Sequence, residues 1–274
     1  MPANVPPLKL AVAGLGAIGL TVARRVDGGA VPGMTLAAVS ARDQDKARKT
    51  VAGFKSPPTV LSAATLADVA DVVVECLPSR AFAEVAGPAI ARGRIFMPLS
   101  VGALIDHMAL IERARETGAR IIVPTGALLG LDAVRAAAEG KIQSVTLETR
   151  KPPAGLVGAP LLVERGISVE GLDEPILVFE GSAREAITGF PANVNVAVAL
   201  SLAGIGPDRT RVQIWADPAV TRNTHTVILK SDSSDLTMKI ENIPSRENPR
   251  TGAITALSVL AALRRLTEPL VVGS

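Results

Sequence analysis

Leu8-Lys9-Leu10-Ala11-Val12-Ala13-Gly14-Leu15-Gly16-Ala17-Ile18-Gly19 decides the fold. An apolar run of strand length meets three glycines spaced G-x-G-x-x-G, and a helix-like stretch, Leu20 to Val26, follows. The first glycine permits a tight strand-to-helix turn, and the second lets a pyrophosphate approach the backbone with no Cβ in the way. The third allows helix and strand to pack closely, so that the first N–H groups of the helix face the anion. The turn residues Gly14, Gly16, Ala17, Ile18 and Gly19 are therefore candidate dinucleotide contacts.

Outward from this unit the pattern repeats. Strand-like runs at Met34 to Val39, Asp71 to Cys76, Ile95 to Ser100 and Arg120 to Val123 alternate with helix-like stretches at Asp43 to Val51, Ser79 to Arg92 and Leu104 to Thr117. Pro57 to Val60 reads as a connector or short strand, and Thr65 can cap a short helix. Strict alternation predicts an α/β, Rossmann-type, doubly wound parallel sheet with ligands at the carboxyl ends of its strands. The turns at Glu75 to Ser79, Ser100 to Gly102 and Pro124 to Ala127 form the candidate cofactor rim. Cys76 lies on that rim, as a small core-edge residue or a nucleophile; nothing near it in sequence would depress its pKa.

An NAD site usually ends the second strand in Asp or Glu, for the ribose hydroxyls. Here the end is Ser40-Ala41-Arg42, with Asp43 at the helix start. A hydroxyl beside a guanidinium suits a 2′-phosphate, which favours NADP alongside NAD; otherwise Arg42 is a solvated loop residue.

From Gly126 the texture changes. Ile142 to Thr149 alternates like a half-exposed strand, and Pro152 to Pro160 reads as a long loop. After strand Ile176 to Glu180, Ser182-Ala183-Arg184-Glu185 is a capping box. An apolar helix, Val194 to Ala203, precedes three strands at Arg211 to Trp215, Thr224 to Leu229 and Leu236 to Ile243. This predicts a second α+β domain with a mainly antiparallel sheet. The last helix, Gly252 to Leu266, is apolar over much of its circumference and is expected to return to the first sheet. The expected division is residues 1–125 plus 249–274 for the dinucleotide and 126–248 for substrate, catalysis and oligomer contacts, with the cofactor in the cleft between.

Composition narrows the classes. The 274 residues hold one cysteine, two histidines, one tryptophan, no tyrosine and a net charge of +3. A base-stacking surface is poorly supplied, so no nucleic acid is expected. No apolar run has the length of a membrane span, and Met1 to Pro7 lacks the pattern of a secretory signal. A single cysteine suits the reducing cytoplasm. Two histidines and one cysteine, far apart, make no metal cluster, and no G-x-S-x-G elbow occurs.

His107 follows Asp106 on a charged helix and reads as exposed. His225 begins an alternating strand; it is a structural strand-edge residue, or the one side chain of the second domain whose ordinary pKa suits proton exchange near neutrality. Asn193 and Asn195 flank a helix start that needs one cap, leaving the other for nicotinamide or substrate. Lys151, in Thr149-Arg150-Lys151-Pro152-Pro153, is a solvated loop lysine or a cation for a substrate carboxylate.

Several segments together resemble the L-aspartate dehydrogenases: the glycine turn, Glu75-Cys76, Ser100 to Ala103, Pro124 to Ala127, Gly130 to Asp132, Thr149 to Pro153, Phe190 to Ala197 and Asn223 to His225. The resemblance runs in order from first strand to last helix, and Phe190 to Ala197 is its most specific part. It implies NAD(P)-dependent oxidative deamination of L-aspartate to iminoaspartate, then oxaloacetate and ammonia, with iminoaspartate able to feed NAD biosynthesis. It also implies cofactor contacts by the Ala127 amide and the Asn193 side chain, His225 as the catalytic residue, and a homodimer or larger homo-oligomer. Two other classes remain: a dihydrodipicolinate reductase-like enzyme, whose paired histidines and following lysine are absent here, and a non-catalytic dinucleotide sensor.

Overall fold

The computed structural model describes residues 6–190, 194–245, 248 and 251–273. They fall into two compact units, the first within Met1–Pro124 and Thr255–Val272, the second within Thr125–Ile254 and Gly273–Ser274.

The first unit runs β1 (Leu8–Ala13), α1 (Ala17–Asp27), β2 (Met34–Ser40), α2 (Gln44–Val51), β3 (Thr59–Val60), α3 (Leu66–Val69), β4 (Val72–Glu75), α4 (Phe82–Ala91), β5 (Ile95–Pro98), α5 (Val101–Leu104), α6 (Ala109–Thr117) and β6 (Arg120–Ile121). Its sheet has the order β3-β2-β1-β4-β5-β6, and every pair is parallel. Strand order reverses between β1 and β4, so the ligand crevice of such a sheet lies outside the ends of these two strands, where Ala13 is registered beside Glu75. β1 and β4 are near-continuous apolar runs because both of their faces are covered. Leu10, Val12, Val22, Val26, Val72 and Val74 share one core with Ala256, Val259, Leu260 and Leu263 of the last helix, Ile254–Arg264. Each buried valine or leucine here contributes about 1.5–3 kcal/mol by leaving water.

The stretch 104–117 is not one helix. A 3₁₀ turn at Ile105–His107 separates α5 from α6, and Gly118, at φ 73°, stops α6. The tighter turn carries His107 to the buried ring of Phe82, where the two rings stack 5.3 Å apart. His107 is thus half-buried, not exposed as its charged neighbours suggest.

The second unit runs α7 (Leu131–Ala138), β7 (Ile142–Lys151), α8 (Pro160–Glu164), β8 (Ile176–Ser182), α9 (Ala183–Gly189), α10 (Asn195–Ala203), β9 (Arg211–Ala216), β10 (Thr224–Ser231) and β11 (Asp235–Glu241). Its sheet order is β11-β10-β7-β9-β8; β7 and β9 are parallel and the other neighbours antiparallel. One face is buried, through Val145 and Leu147 of β7, Val227 and Leu229 of β10, and Val212 and Ile214 of β9. Val134 of α7 and Val145 of β7 both lie close to Gly204, which ends α10, so these helices cover that face. The Ser182 capping box opens α9. The expected long loop after Pro152 is shorter than it reads, because Pro153–Gly155 is a 3₁₀ turn and Pro160 starts α8 at a helix position that needs no N–H. Among the described residues, no helix is long and apolar enough to cross a membrane.

Candidate functional site

In the first unit the three glycines of the turn are required for different reasons. Gly14 has φ 97°, and a Cβ there would stand 2.6 Å from the Cys76 carbonyl oxygen. A Cβ on Gly19 would stand 1.9 Å from the Gly14 oxygen. Gly16 differs, since a Cβ there meets nothing of the described chain within 4 Å. Gly16 is the N-cap of α1, with no side-chain cap and no acidic residue in the first turn, so the first N–H groups of the helix, from Ala17 on, have no side-chain cap, and the space beside Gly16 is open. The donors and the room fit a pyrophosphate.

Ser40 ends β2, buried, and its carbonyl accepts from the Gly14 N–H at 2.8 Å. Arg42 beyond it is exposed. The Asp43 carboxylate is occupied as the cap of α2, accepting from the Lys46 N–H at 2.9 Å. No carboxylate therefore ends β2 itself, and Arg42 is the charged group nearest that position in sequence. Cys76 lines the Gly14 wall through its backbone; burial, then the neighbouring Glu75 charge, pushes its thiol up and leaves it protonated.

In the second unit the structure brings Lys151 and His225 to one face of the sheet. β7 extends to Lys151, two residues beyond the alternating segment Ile142 to Thr149. Arg150 and Lys151 consequently point to opposite faces. Arg150 lies over the Trp215 ring at 4.8 Å and pairs with Glu148 and Asp217. Lys151 is only 5% exposed and His225 only 4%. Lys151 is therefore not the solvated residue that a polar loop suggests. His225 is registered opposite Thr149, whose Oγ1 is 3.0 Å from its Nδ1.

Burial carries an energetic consequence. Desolvation, then the charge of Lys151, pushes His225 down to about 3. Desolvation lowers Lys151 to about 8. An ordinary imidazole would exchange its proton near neutrality; burial holds His225 below that range and favours its neutral form, while Lys151 is moved toward it. A neutral imidazole and an ammonium share one dry face, a pair whose chemistry suits a hydrogen-bonding anion.

Ala127 lies in the turn after the first unit's last strand, and its carbonyl accepts from Asn242 Nδ2 at 3.0 Å. Asn195 is the first residue of α10 and exposed; the N-cap is Val194, with no side-chain cap, so the expected asparagine cap is not formed by Asn195. Asn193 lies outside the described residues.

A sequence model of the aspartate dehydrogenase C-terminal domain matches residues 132–266, and one of the homoserine dehydrogenase NAD binding domain matches residues 14–124. The L-aspartate dehydrogenase of Bradyrhizobium diazoefficiens is 54% identical over 267 residues, covering 97% of this chain and 94% of that protein. This chain belongs to the L-aspartate dehydrogenase family. A member from Methanocella arvoryzae is 44% identical over 97% of this chain and 99% of its own. The crystal structure of aspartate dehydrogenase from Thermotoga maritima superposes with a TM-score of 0.76 at 25% identity, covering 97% of this chain and 99% of that one. Membership separates the chain from the reductase and sensor alternatives.

For an aspartate dehydrogenase, two side chains of the second unit were missed from sequence. Thr149 bonds the imidazole, and the strand alternation that buries Leu147 also buries Thr149, so the signal was present. Asn242 holds Ala127 across 115 residues of chain, and no local pattern announces it.

Proposed function

We propose that the chain is an NAD(P)-dependent L-aspartate dehydrogenase that removes hydride from C2 of L-aspartate to give iminoaspartate, which hydrolyses to oxaloacetate and ammonia. The observation that carries this reading is 54% identity to an L-aspartate dehydrogenase across 97% of the chain. The first unit serves the dinucleotide and the second the amino acid.

The nicotinamide, when bound, supplies the hydride acceptor. The N–H groups of Ala17, Ile18 and Gly19 hold the pyrophosphate beside Gly14 and Gly16, and Ser40 and Arg42 face the adenosine ribose. Arg42 is the residue that admits a 2′-phosphate, so NADP is accepted as well as NAD. The Cys76 backbone, the Ala127 amide and Asn193 complete the cofactor contacts. Lys151, as an ammonium, pairs with a carboxylate of the substrate, and Asn195 serves the same ligand.

His225 is the catalytic residue. Oxidation needs the substrate amine uncharged, and the imine then needs water activated against it. A neutral imidazole has a lone pair free for that water proton, and Thr149 holds the ring in place. A bound dicarboxylate raises the proton affinity of both buried bases, bringing His225 toward the range where it can accept and return a proton.

The enzyme works as a homodimer or larger homo-oligomer in the cytoplasm, where its iminoaspartate is available to NAD biosynthesis. The experiment is a nicotinamide absorbance assay with L-aspartate and a panel of other amino acids against NAD and NADP. Reduction with L-aspartate above all other amino acids supports the reading; equal rates with glutamate or alanine refute it.

A further inference from the structure

The carboxyl group of Glu75 has no task in the reaction as described. It ends β4 at the switch point of the first sheet, registered beside Ala13, and is fully buried. Its Oε1 accepts from the Leu77 N–H at 2.6 Å, and its Oε2 from the Ser100 N–H at 3.0 Å. The Ser100 hydroxyl is 3.1 Å from Oε1 and 2.7 Å from the Leu77 carbonyl. Ser100 follows β5, so one carboxyl group ties together the turns that leave two adjacent parallel strands.

Such an arrangement is costly. Burial pushes the Glu75 carboxyl up from its ordinary range, and the bonds from Ser100 and Leu77 pull it part of the way back. An apolar side chain would fill the same space without that penalty, so the carboxyl is there for what it orients. What it orients is next to the glycine turn. The Cys76 N–H bonds to the Ala13 carbonyl at 2.7 Å. Measured from where a Gly14 Cβ would stand, the Cys76 oxygen is 2.6 Å away and a Leu77 methyl 3.0 Å. Cys76 and Leu77 are thus the wall against which the phosphate turn is built, and Glu75 holds Leu77 from behind.

We propose that Glu75 is a positioning residue for the dinucleotide: by joining Leu77 to Ser100, it fixes the Cys76–Leu77 wall against Gly14 and so sets the shape of the phosphate-binding turn. This rests on the dinucleotide reading above. Glu75 acts through its neighbours and touches no reacting atom. Its removal therefore alters cofactor affinity and leaves the chemical step, which belongs to His225, in place.

The test is fluorescence titration of NADH and NADPH into the wild type, Glu75→Gln and Ser100→Ala, with kcat at saturating cofactor and melting temperature measured alongside. Glu75→Gln turns one acceptor into a donor facing an N–H; its dissociation constant for the preferred cofactor is expected to rise about tenfold, with kcat within about twofold. Ser100→Ala removes the hydroxyl and keeps the N–H, so a rise of about threefold is expected. The double variant should be no worse than Glu75→Gln alone, because both act on one cluster. Should Glu75→Gln fail to fold, Ser100→Ala decides: unchanged affinity overturns the proposal. A folded Glu75→Gln that binds as tightly as wild type, or loses kcat at unchanged affinity, also overturns it. A wild type that binds neither nucleotide overturns the dinucleotide reading together with this one, whereas normal wild-type binding with an unaffected variant overturns this one alone.

Discussion

Thr149 Oγ1 and His225 Nδ1 lie 3.0 Å apart across the β7–β10 pair, both side chains buried. That bond fixes the imidazole plane and leaves Nε2 as the nitrogen not engaged by Thr149. Replacing Thr149 by Val keeps the shape and removes the partner, and is expected to lower kcat about tenfold with cofactor affinity unchanged. Thr149→Ser should restore most of the rate. Steady-state rates for the two variants check this; equal damage by both would mean that packing, not the hydrogen bond, is what matters.

With Lys151 as the proposed partner of a substrate carboxylate, substrate binding has a pH dependence whose sign is fixed. Its ammonium is present below about 8 and lost above it. A carboxylate partner is therefore lost on the alkaline side. Binding of succinate, a dicarboxylate without the amine, should be flat below that value and weaken about tenfold per pH unit above it. Calorimetric titration from pH 6 to pH 10 measures it. In Lys151→Met the slope should vanish along with most of the affinity; a slope that survives would assign the titration to another group.

The glycines of the turn make a paired prediction. Gly16→Ala places its methyl in open space at φ −75°, so it should cost at most about 1 kcal/mol of stability while weakening NADH binding tenfold or more. Gly19→Ala drives a Cβ into the Gly14 carbonyl and should destabilise the protein by about 3 kcal/mol. Melting curves and nucleotide titrations on both variants separate the effects. Destabilisation by Gly16→Ala equal to that by Gly19→Ala would contradict the open space at Gly16, and unchanged NADH binding by Gly16→Ala would remove the pyrophosphate from it.

Arg42→Ala should weaken NADPH about tenfold and NADH little, since only the former carries the 2′-phosphate. An equal loss for both nucleotides would remove Arg42 from the ribose site.

The first unit was legible because its information is local. Apolar runs buried on both faces, glycines at the turn and capping residues such as Asp43 each announce themselves within a few positions. Lys151 was harder. Thr149-Arg150-Lys151-Pro152 is polar and precedes prolines, so it reads as loop, yet ladder bonding to β9 and β10 carries the strand through to Lys151. The titration of His225 was not legible either, because it depends first on burial under the fold and then on a neighbour 74 positions away that only sheet pairing brings near. His107 fails for the same reason, since its partner Phe82 belongs to another helix. Long-range pairing, not residue identity, decided each of these.

The central claim is that oxidation of L-aspartate depends on the buried imidazole of His225. Its most direct test is the rate of nicotinamide reduction by His225→Ala at saturating L-aspartate and cofactor, with NADH affinity measured on the same protein. Turnover is expected to fall by about two to four decades, with nucleotide affinity unchanged. Near-normal turnover in a folded His225→Ala would contradict it.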